Sequence, residues 1–530
     1  MKVSIVNLTL NADGLSHMID SELHPFIAAY CGVKQTDVIS YKISKRSVDA
    51  RKKPEVRLVY TLTADLADSA RPKRDIEYAA EEFPIVPPRF EYKKVPLHPV
   101  IIGSGPAGLF CGLILAMAGC KPLILDRGRD VDRRRMDIQT FFNTRELNEE
   151  SNLLFGEGGA GTWSDGKLFT RIRDPRIQFV LNEFIAAGAP EAIGYYSHPH
   201  LGSDKLPDLI ANIRNKIIAL GGTFRWDATV KELAVKNGIC TGVYLADNEL
   251  IEAPMVIAAC GHSARDLILS MTRAGAGFTM KGFQMGCRIE HPQDFINWFQ
   301  FGNQKTNPAL GSAEYNMVSH PTSDKSIEGA TTFCMCPGGE IIPATPTAKR
   351  LCTNGMSNAA RSGKFANAAI VTNIPPDVFD TPEDAYAALD LIEKRAFIAG
   401  GNNYDCPAQR ASDFVKKCTG KIPSKTSWPF GLRSYRVDKL FPEAVSDALT
   451  RALLHFDRNA PGYIRWGTML GVETRVSSPV RFLRDPETFE SNLLHLYPAG
   501  EGAGLAGGIT SSAIDGILIA EAILRKHAEY

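Results

Sequence analysis

Two hydrophobic rhythms divide the chain. Over Lys2–Leu8, Val38–Ile43 and Val56–Leu66, apolar and polar residues alternate with period two, which predicts three half-buried strands. Between the first two, Leu23, Phe26, Ile27 and Tyr30 recur at helical spacing within Ser21–Cys31, and Gly32 is placed to stop that helix. From His98 the pattern changes. Pro99–Ile102 is a short continuous apolar run, a glycine-rich turn follows, Leu109–Gly119 reads as a helix, and Lys121–Leu125 as a second buried strand. Further strands are predicted over Thr223–Trp226, Val230–Val235, Thr241–Leu245 and Met255–Ala259, with Gly238 and Asp247-Asn248 as turn signals. Long helices are predicted over Pro382–Ala399 and Leu440–Phe456, and Leu494–Tyr530 repeats strand, glycine turn and helix.

Glycine-rich strand-to-helix turns therefore bracket a large middle region. This predicts an α/β fold with a Rossmann-like domain in two segments, 93–280 and 463–530. An α+β domain, 281–462, is inserted between them, and a small α+β domain, 1–92, precedes both. Pro84, Pro87, Pro88, Pro96 and Pro99 read as a linker. A length of 530 residues suits two to four domains.

Composition narrows the function. Sixty basic residues face 59 acidic ones, a balance that argues against nucleic acid as the main partner. The 11 cysteines, odd in number and scattered, do not form a disulfide framework and suit a reducing, cytoplasmic setting. The N-terminal apolar stretch is too interrupted for a signal peptide. Val95–Cys120 carries no formal charge, but its prolines and glycines fit a buried strand, turn and helix rather than a membrane span.

The chemistry begins at Gly103-Ser104-Gly105-Pro106-Ala107-Gly108. Gly103 allows the tight turn, Gly105 lets backbone approach a pyrophosphate, and Gly108 lets the helix pack on the strand. Pro106 and Ala107 open that helix, whose free N–H groups and dipole favour phosphate. Asp126 ends the second strand about 20 residues on, where a carboxylate accepts hydrogen bonds from ribose hydroxyls, with Arg127 beside it. A second GxGxxG match, Gly156–Gly161, lacks the following strand and acid. It is read as a backbone loop, with Gly159, Gly161 and Thr162, laid against a dinucleotide already bound. A third glycine turn runs from Gly500-Glu501 to Gly508-Ile509. Glu501 is placed for ribityl hydroxyls, and the helix N-terminus at Gly508 and Ile509 can stabilise the negative charge of a reduced flavin.

Together with the strand end Val256–Arg265, which carries Gly261, these motifs resemble the glutathione-reductase-type FAD-binding fold. Several blocks resemble more closely a family of bacterial FAD-dependent dehydrogenases: Ser47–Lys53, Gly158–Leu168, His198–Gly202, Phe333–Gly339, Thr353–Ser357, Gly471–Arg481 and Tyr497–Gly516. The resemblance spans nearly the whole chain. It implies FAD as cofactor, an N-terminal accessory domain and an inserted substrate-type domain. It does not supply a substrate. Asp126 replaces the commoner Glu, Cys260 stands where many flavoproteins have Thr, and Leu505 stands where an aromatic is expected.

The expected function is FAD-dependent oxidoreductase chemistry, a dehydrogenase or reductase acting by hydride or electron transfer on an unnamed small molecule. The alternative is a flavin-binding interaction or redox-sensing protein whose basic stretch, Lys45–Arg57, docks a protein or an anionic partner such as RNA. No second complete dinucleotide fingerprint is present, so a separate nicotinamide domain is not expected. Cys334 and Cys336, two apart, share a face if they lie on a strand; ordinary packing is the plain reading, with a redox or flavin-proximal role as the alternative. Metal-type CxxC spacing is absent, and no metal is expected. His198 and His200 read as loop or substrate contacts. Arg475 and Arg481 read either as an anion clamp or as structural ion pairs.

Overall fold

The computed structural model describes residues 1–53, 55–72, 97–320, 327 and 329–528. The linker prolines Pro84, Pro87, Pro88 and Pro96 lie outside the described residues. The N-terminal unit is an antiparallel sheet with Glu55–Leu66 between Lys2–Asn11 and Val38–Lys52. Helix His24–Cys31 buries Ile27, Ala28 and Cys31 and ends at Gly32, whose φ of 68° is the left-handed cap expected of glycine. The strand predicted over Val38–Ile43 is longer than its period suggests and takes in most of the basic run. It runs to Lys52 and pairs Arg46 with Tyr60 and Asp49 with Arg57. Arg46 is buried on Asp20 at 3.0 Å, Arg51 pairs with Asp49 and Arg57 with Glu55, and Lys53 donates to the Phe299 carbonyl. Three of the six basic residues in Lys45–Arg57 are thus paired with carboxylates within the fold.

Five parallel strands form the next sheet, in the order Leu496–Pro498, Val256–Ala258, Val100–Ile102, Leu123–Leu125 and Thr223–Arg225. The three central strands carry the continuous apolar runs because helices cover both faces. Helix Pro106–Met117 is buried over ten consecutive residues, Ala107–Ala116, and packs on the C-terminal helix Ile509–Ala528. Gly516 makes that contact possible: a Cβ there would collide with the Ala107 carbonyl oxygen. An antiparallel meander, Val230–Lys236, Ile239–Leu245 and Leu250–Glu252, sits beside the sheet.

A seven-stranded, mainly antiparallel sheet is built from the chain between strands Val256–Ala258 and Leu496–Pro498. Its order is Val318–Ser319, Ala330–Cys336, Phe365–Ile374, Phe283–Pro292, Thr468–Glu473, Cys406–Arg410 and Leu432–Ser434. Thr468–Glu473 pairs with Phe283–Pro292, so a boundary at 462 would cut this sheet, and the unit runs past Glu473. Helix Pro382–Ala399 occupies the span its periodicity predicts. The next begins at Glu443 rather than Leu440, because Val437–Leu440 is taken up by a 3-10 turn and Pro442 fixes the helix entry. No helix among the described residues is long and apolar enough to cross a membrane.

Candidate cofactor and active-site cleft

The carboxyl ends of four parallel strands open into one cleft of about 390 Å³. That is the place where open α/β sheets bind ligands, because strand order reverses there and the following loops diverge. Three glycine turns line it, each for a different reason. Gly103 has φ +98° and donates its N–H to the Leu125 carbonyl at 2.7 Å; a Cβ there would collide with the Ala259 carbonyl oxygen. Gly108 is glycine because a Cβ would collide with the Gly103 carbonyl oxygen. It braces the turn and does not line the cleft. Gly105 faces open space, with only the Gly159 Cα within 4 Å of an added Cβ, at 3.9 Å. An added Cβ on Gly261, Gly507 or Gly508 would meet nothing within 4 Å. At Gly105 and Gly507 a side chain would enter open space without backbone strain, whereas Gly261 and Gly508, at φ +72° and +131°, combine open space with a backbone that favours glycine.

At one end lie Asp126 and Arg127. Asp126 accepts from the Ser104 N–H (2.9 Å), the Ser104 hydroxyl (2.5 Å) and the Gly128 N–H (2.9 Å). Its first task is therefore to hold the glycine turn. The Arg127 guanidinium lies over the Phe155 ring at 4.4 Å, fixed by Glu150 (2.8 Å) and Asp266 (2.6 Å).

The second glycine loop packs directly on the first. The Gly158 N–H donates to the Ser104 carbonyl at 3.0 Å, and Gly159–Trp163 forms a 3-10 turn. Gly159 and Gly161 line the cleft. Thr162 does not: its hydroxyl donates to the Glu157 carbonyl at 3.0 Å and braces the loop from behind. The sequence reading placed Thr162 on the ligand, and spacing alone does not reveal which way a loop threonine turns. Buried Arg134 holds the same loop through the carbonyls of Asn152 (2.7 Å) and Glu157 (2.6 Å). Glu157 accepts from the Val131 N–H (2.8 Å) and from Arg214 (2.7 Å). Burial nonetheless pushes its carboxyl up to about 7.

Farther along, Gly500 donates its N–H to Asp515 at 2.7 Å, and Asp515 is paired with Arg484 at 2.5 Å. Glu501 Oε2 hydrogen-bonds His262 Nδ1 at 2.9 Å, and His262 Nε2 meets the Arg475 carbonyl at 2.9 Å. Gly508 and Ile509 open the C-terminal helix at the cleft, and Thr510 ties that helix start to the Leu168 carbonyl at 2.7 Å.

Opposite this helix, the seven-stranded sheet contributes Phe333, Cys334 and Cys336, and the neighbouring strand Thr353–Met356 contributes Asn354 and Gly355. Lys167, absent from the sequence-derived site residues although it lies within the block Gly158–Leu168, brings an ammonium to the same place. It pairs with buried Asp165 at 2.8 Å and donates to the Met335 carbonyl. Asp165 also binds Arg361, at 2.5 and 3.0 Å. Burial raises the Asp165 carboxyl, but Lys167 and Arg361 outweigh it and hold the group well below the usual range. Arg361 lies 3.6 Å from Glu314, which pairs with His198. His198 is thus part of an ion network behind the cleft, and His200 faces the Ala359 carbonyl at 3.0 Å. Arg475 is held by Glu393 at 3.0 Å, and Glu393 also holds Arg265 at 2.8 Å, so its reading as a structural ion pair prevails over an anion clamp. Arg481 points outward from strand Val480–Phe482. No cluster of three His, Cys, Asp or Glu residues suited to a metal occurs among the described residues.

Comparison with known proteins agrees with this geometry. Residues 282–476 match the family described as "FAD-dependent protein, C-terminal domain-like", and residues 2–65 match a domain of unknown function, DUF8436. An uncharacterized protein of Clostridium beijerinckii is 37% identical over 539 residues, covering 99% of each chain. Solved structures are more distant. A flavin-dependent brominase is 13% identical with a TM-score of 0.37, over 82% of this chain and 80% of its own. A geranylgeranyl bacteriochlorophyll reductase-like protein from Thermoplasma acidophilum is 11% identical with a TM-score of 0.36, over 82% and 80%. Likeness of that order adds nothing to the argument. The full-length relative and the matched domain do: the chain belongs to the FAD-dependent protein family defined by that C-terminal domain, and FAD is its cofactor.

Proposed function

We propose that this protein is an FAD-dependent oxidoreductase whose substrate meets the flavin between the C-terminal helix start and the seven-stranded sheet. The observation that carries the reading is the continuity of one cleft. It runs from Gly105, Asp126 and Arg127, past Gly159, Gly161 and Glu501, to Lys167, Cys334, Asn354 and Ile509. The glycine turn at Gly103–Gly108 and the start of helix Pro106–Met117, with Pro106 and Ala107 at that start, would hold the pyrophosphate. Asp126 and Arg127 would frame the adenosine, Gly261 and Glu501 would border the ribityl chain, and Gly508 and Ile509 would present helix N–H groups to the ring.

Bound FAD supplies hydride or electron transfer to and from a substrate. The chain's own groups do the rest. The Ile509 helix start and the Lys167 ammonium place positive potential where a reduced flavin gathers negative charge. Asp165 and Arg361 fix the Lys167 side chain so that this charge is preorganised. Phe169, Phe333 and the strand Ala330–Cys336 wall the ring end from bulk water.

Anaerobic mixing of the flavin-loaded protein with a panel of reductants tests the reading. Bleaching of flavin absorbance by at least one organic donor, reversed by an acceptor with matched product formation, is expected. A flavin that only chemical reductants reduce, with no donor and no acceptor turned over, would overturn it.

A further inference from the structure

Of the 11 cysteines, three line the cleft: Cys260, Cys334 and Cys336. Cys260 sits at the adenosine end beside Arg127 and Asp266. Cys334 and Cys336 sit at the ring end, on strand Ala330–Cys336. The pairing of this strand with Phe365–Ile374 shifts register between Phe333 and Cys336, and Cys334 takes φ +42°. Met335 is buried in the hydrophobic core, while both thiols line the cleft.

The two thiols are not equivalent. Cys334 is exposed to the cleft, whereas Cys336 is buried and donates its S–H to the Cys334 carbonyl at 3.3 Å. Cys336 has its place because Gly355 lacks a side chain: a Cβ there would lie 2.9 Å from Cys336 Sγ. Arg288, paired with Glu473 at 2.6 Å, donates to the Cys334 carbonyl at 2.9 Å and so fixes the shifted backbone. Regular extended backbone holds the Cβ atoms of residues two apart too far from each other for a disulfide, so the bond depends on the departure from extended geometry marked by the φ of +42° at Cys334 and the register shift there.

We propose that Cys334 and Cys336 form a redox-active dithiol–disulfide pair that exchanges two electrons with the flavin, and that the cleft's substrate is a small thiol or disulfide. This rests on the reading of the cleft as the flavin site. A dithiol substrate attacks the Cys334–Cys336 bond at the accessible Cys334, giving a mixed disulfide and a Cys336 thiol. The substrate's second sulfur then displaces Cys334, so the substrate leaves as a disulfide and both cysteines are thiols. Re-forming the protein's S–S bond breaks two S–H bonds, sends two electrons and one proton to the flavin, and releases the other proton to solvent. Both thiols titrate above neutral pH, so the reduced pair holds both protons there.

The test is an anaerobic dithionite titration of the flavin-loaded, air-oxidised protein, with peptide mapping after alkylation. The wild type is expected to take up four electrons per flavin and Cys334→Ser two, while Cys418→Ser, at an exposed cysteine away from the cleft, still takes four. Mapping is expected to find a Cys334–Cys336 cross-link before reduction and two alkylated thiols after it. Two electrons per flavin in the wild type, or both thiols alkylated before reduction, would overturn the proposal and leave the flavin reading intact. Protein that binds no flavin would overturn both.

Discussion

Replacing Gly105 with valine separates cofactor binding from folding. Gly105 sits at φ −69° and ψ −179°, extended backbone that a β-branched residue adopts without strain. An added Cβ finds only the Gly159 Cα, at 3.9 Å, so the apoprotein has room for it. The same atoms occupy the space through which a pyrophosphate approaches the start of helix Pro106–Met117. Losing two charge-assisted hydrogen bonds, each contributing about 1.5–3 kcal/mol, weakens FAD binding by about 3–6 kcal/mol. That is roughly a 10²–10⁴-fold rise in Kd. Titration of apoprotein with FAD, followed by tryptophan fluorescence or calorimetry, reads the affinity, and thermal melts of the two apoproteins read the fold. Matching apo melts with a collapse in FAD affinity is the expected result. Gly108→Ala supplies the contrast, since its Cβ collides with the Gly103 carbonyl oxygen and the apoprotein itself should melt lower. If Gly105→Val retains FAD at wild-type affinity, the phosphates lie elsewhere and the reasoning fails.

Three further outcomes follow from the same geometry. Glu157 is raised by burial to about 7, so its contribution to stability is fully present below about pH 4.3 and is lost as pH rises to about 7, a change of about 3 kcal/mol. Urea unfolding of apo wild type and Glu157→Gln from pH 4 to 8 should show the wild type losing ground to the variant across that window; parallel profiles would contradict the assignment. Lys167→Met removes a cation partly balanced by Asp165, worth about 1–2 kcal/mol against the reduced flavin, and should lower the two-electron midpoint on the order of 20–40 mV. A dye-equilibration measurement that finds the midpoint unmoved or raised would place Lys167 away from the ring. Reduction by NADH or NADPH should be slow or partner-dependent if, as proposed, the sequence's one complete glycine fingerprint serves FAD, since the seven-stranded sheet is mainly antiparallel. Stopped-flow reduction that saturates at low micromolar nucleotide, at roughly ten per second or faster, would reveal a nicotinamide site.

Sequence reading succeeded where a local constraint dictates residue type. The first glycine turn was legible because strand, tight turn, helix start and acid each demand a particular residue at a fixed spacing, and Gly103, Gly105 and Gly108 meet distinct steric demands. The C-terminal turn was legible for the same reason. Side-chain direction was not. Thr162 turns into its own loop, and Asp126 holds Ser104 and Gly128 before it reaches any ligand. The strand predicted to stop at Ile43 runs to Lys52, because charge masks the period of an edge strand whose partner residues lie beyond it in the chain. The ring end was least legible. Lys167, Asp165 and Arg361 come from segments nearly 200 residues apart, and Cys334 meets Asn354 only because two strand systems fold together. No local periodicity records such a meeting.

The account stands most directly on what the folded protein releases. Purified protein, washed free of loose ligand and then denatured, should release FAD in a one-to-one ratio with the chain, identified by chromatography and mass. The same chain refolded or expressed with Gly105→Val should release little or none. Release of FMN, or a colourless wild-type protein that takes up no FAD on incubation, would contradict the assignment of this cleft.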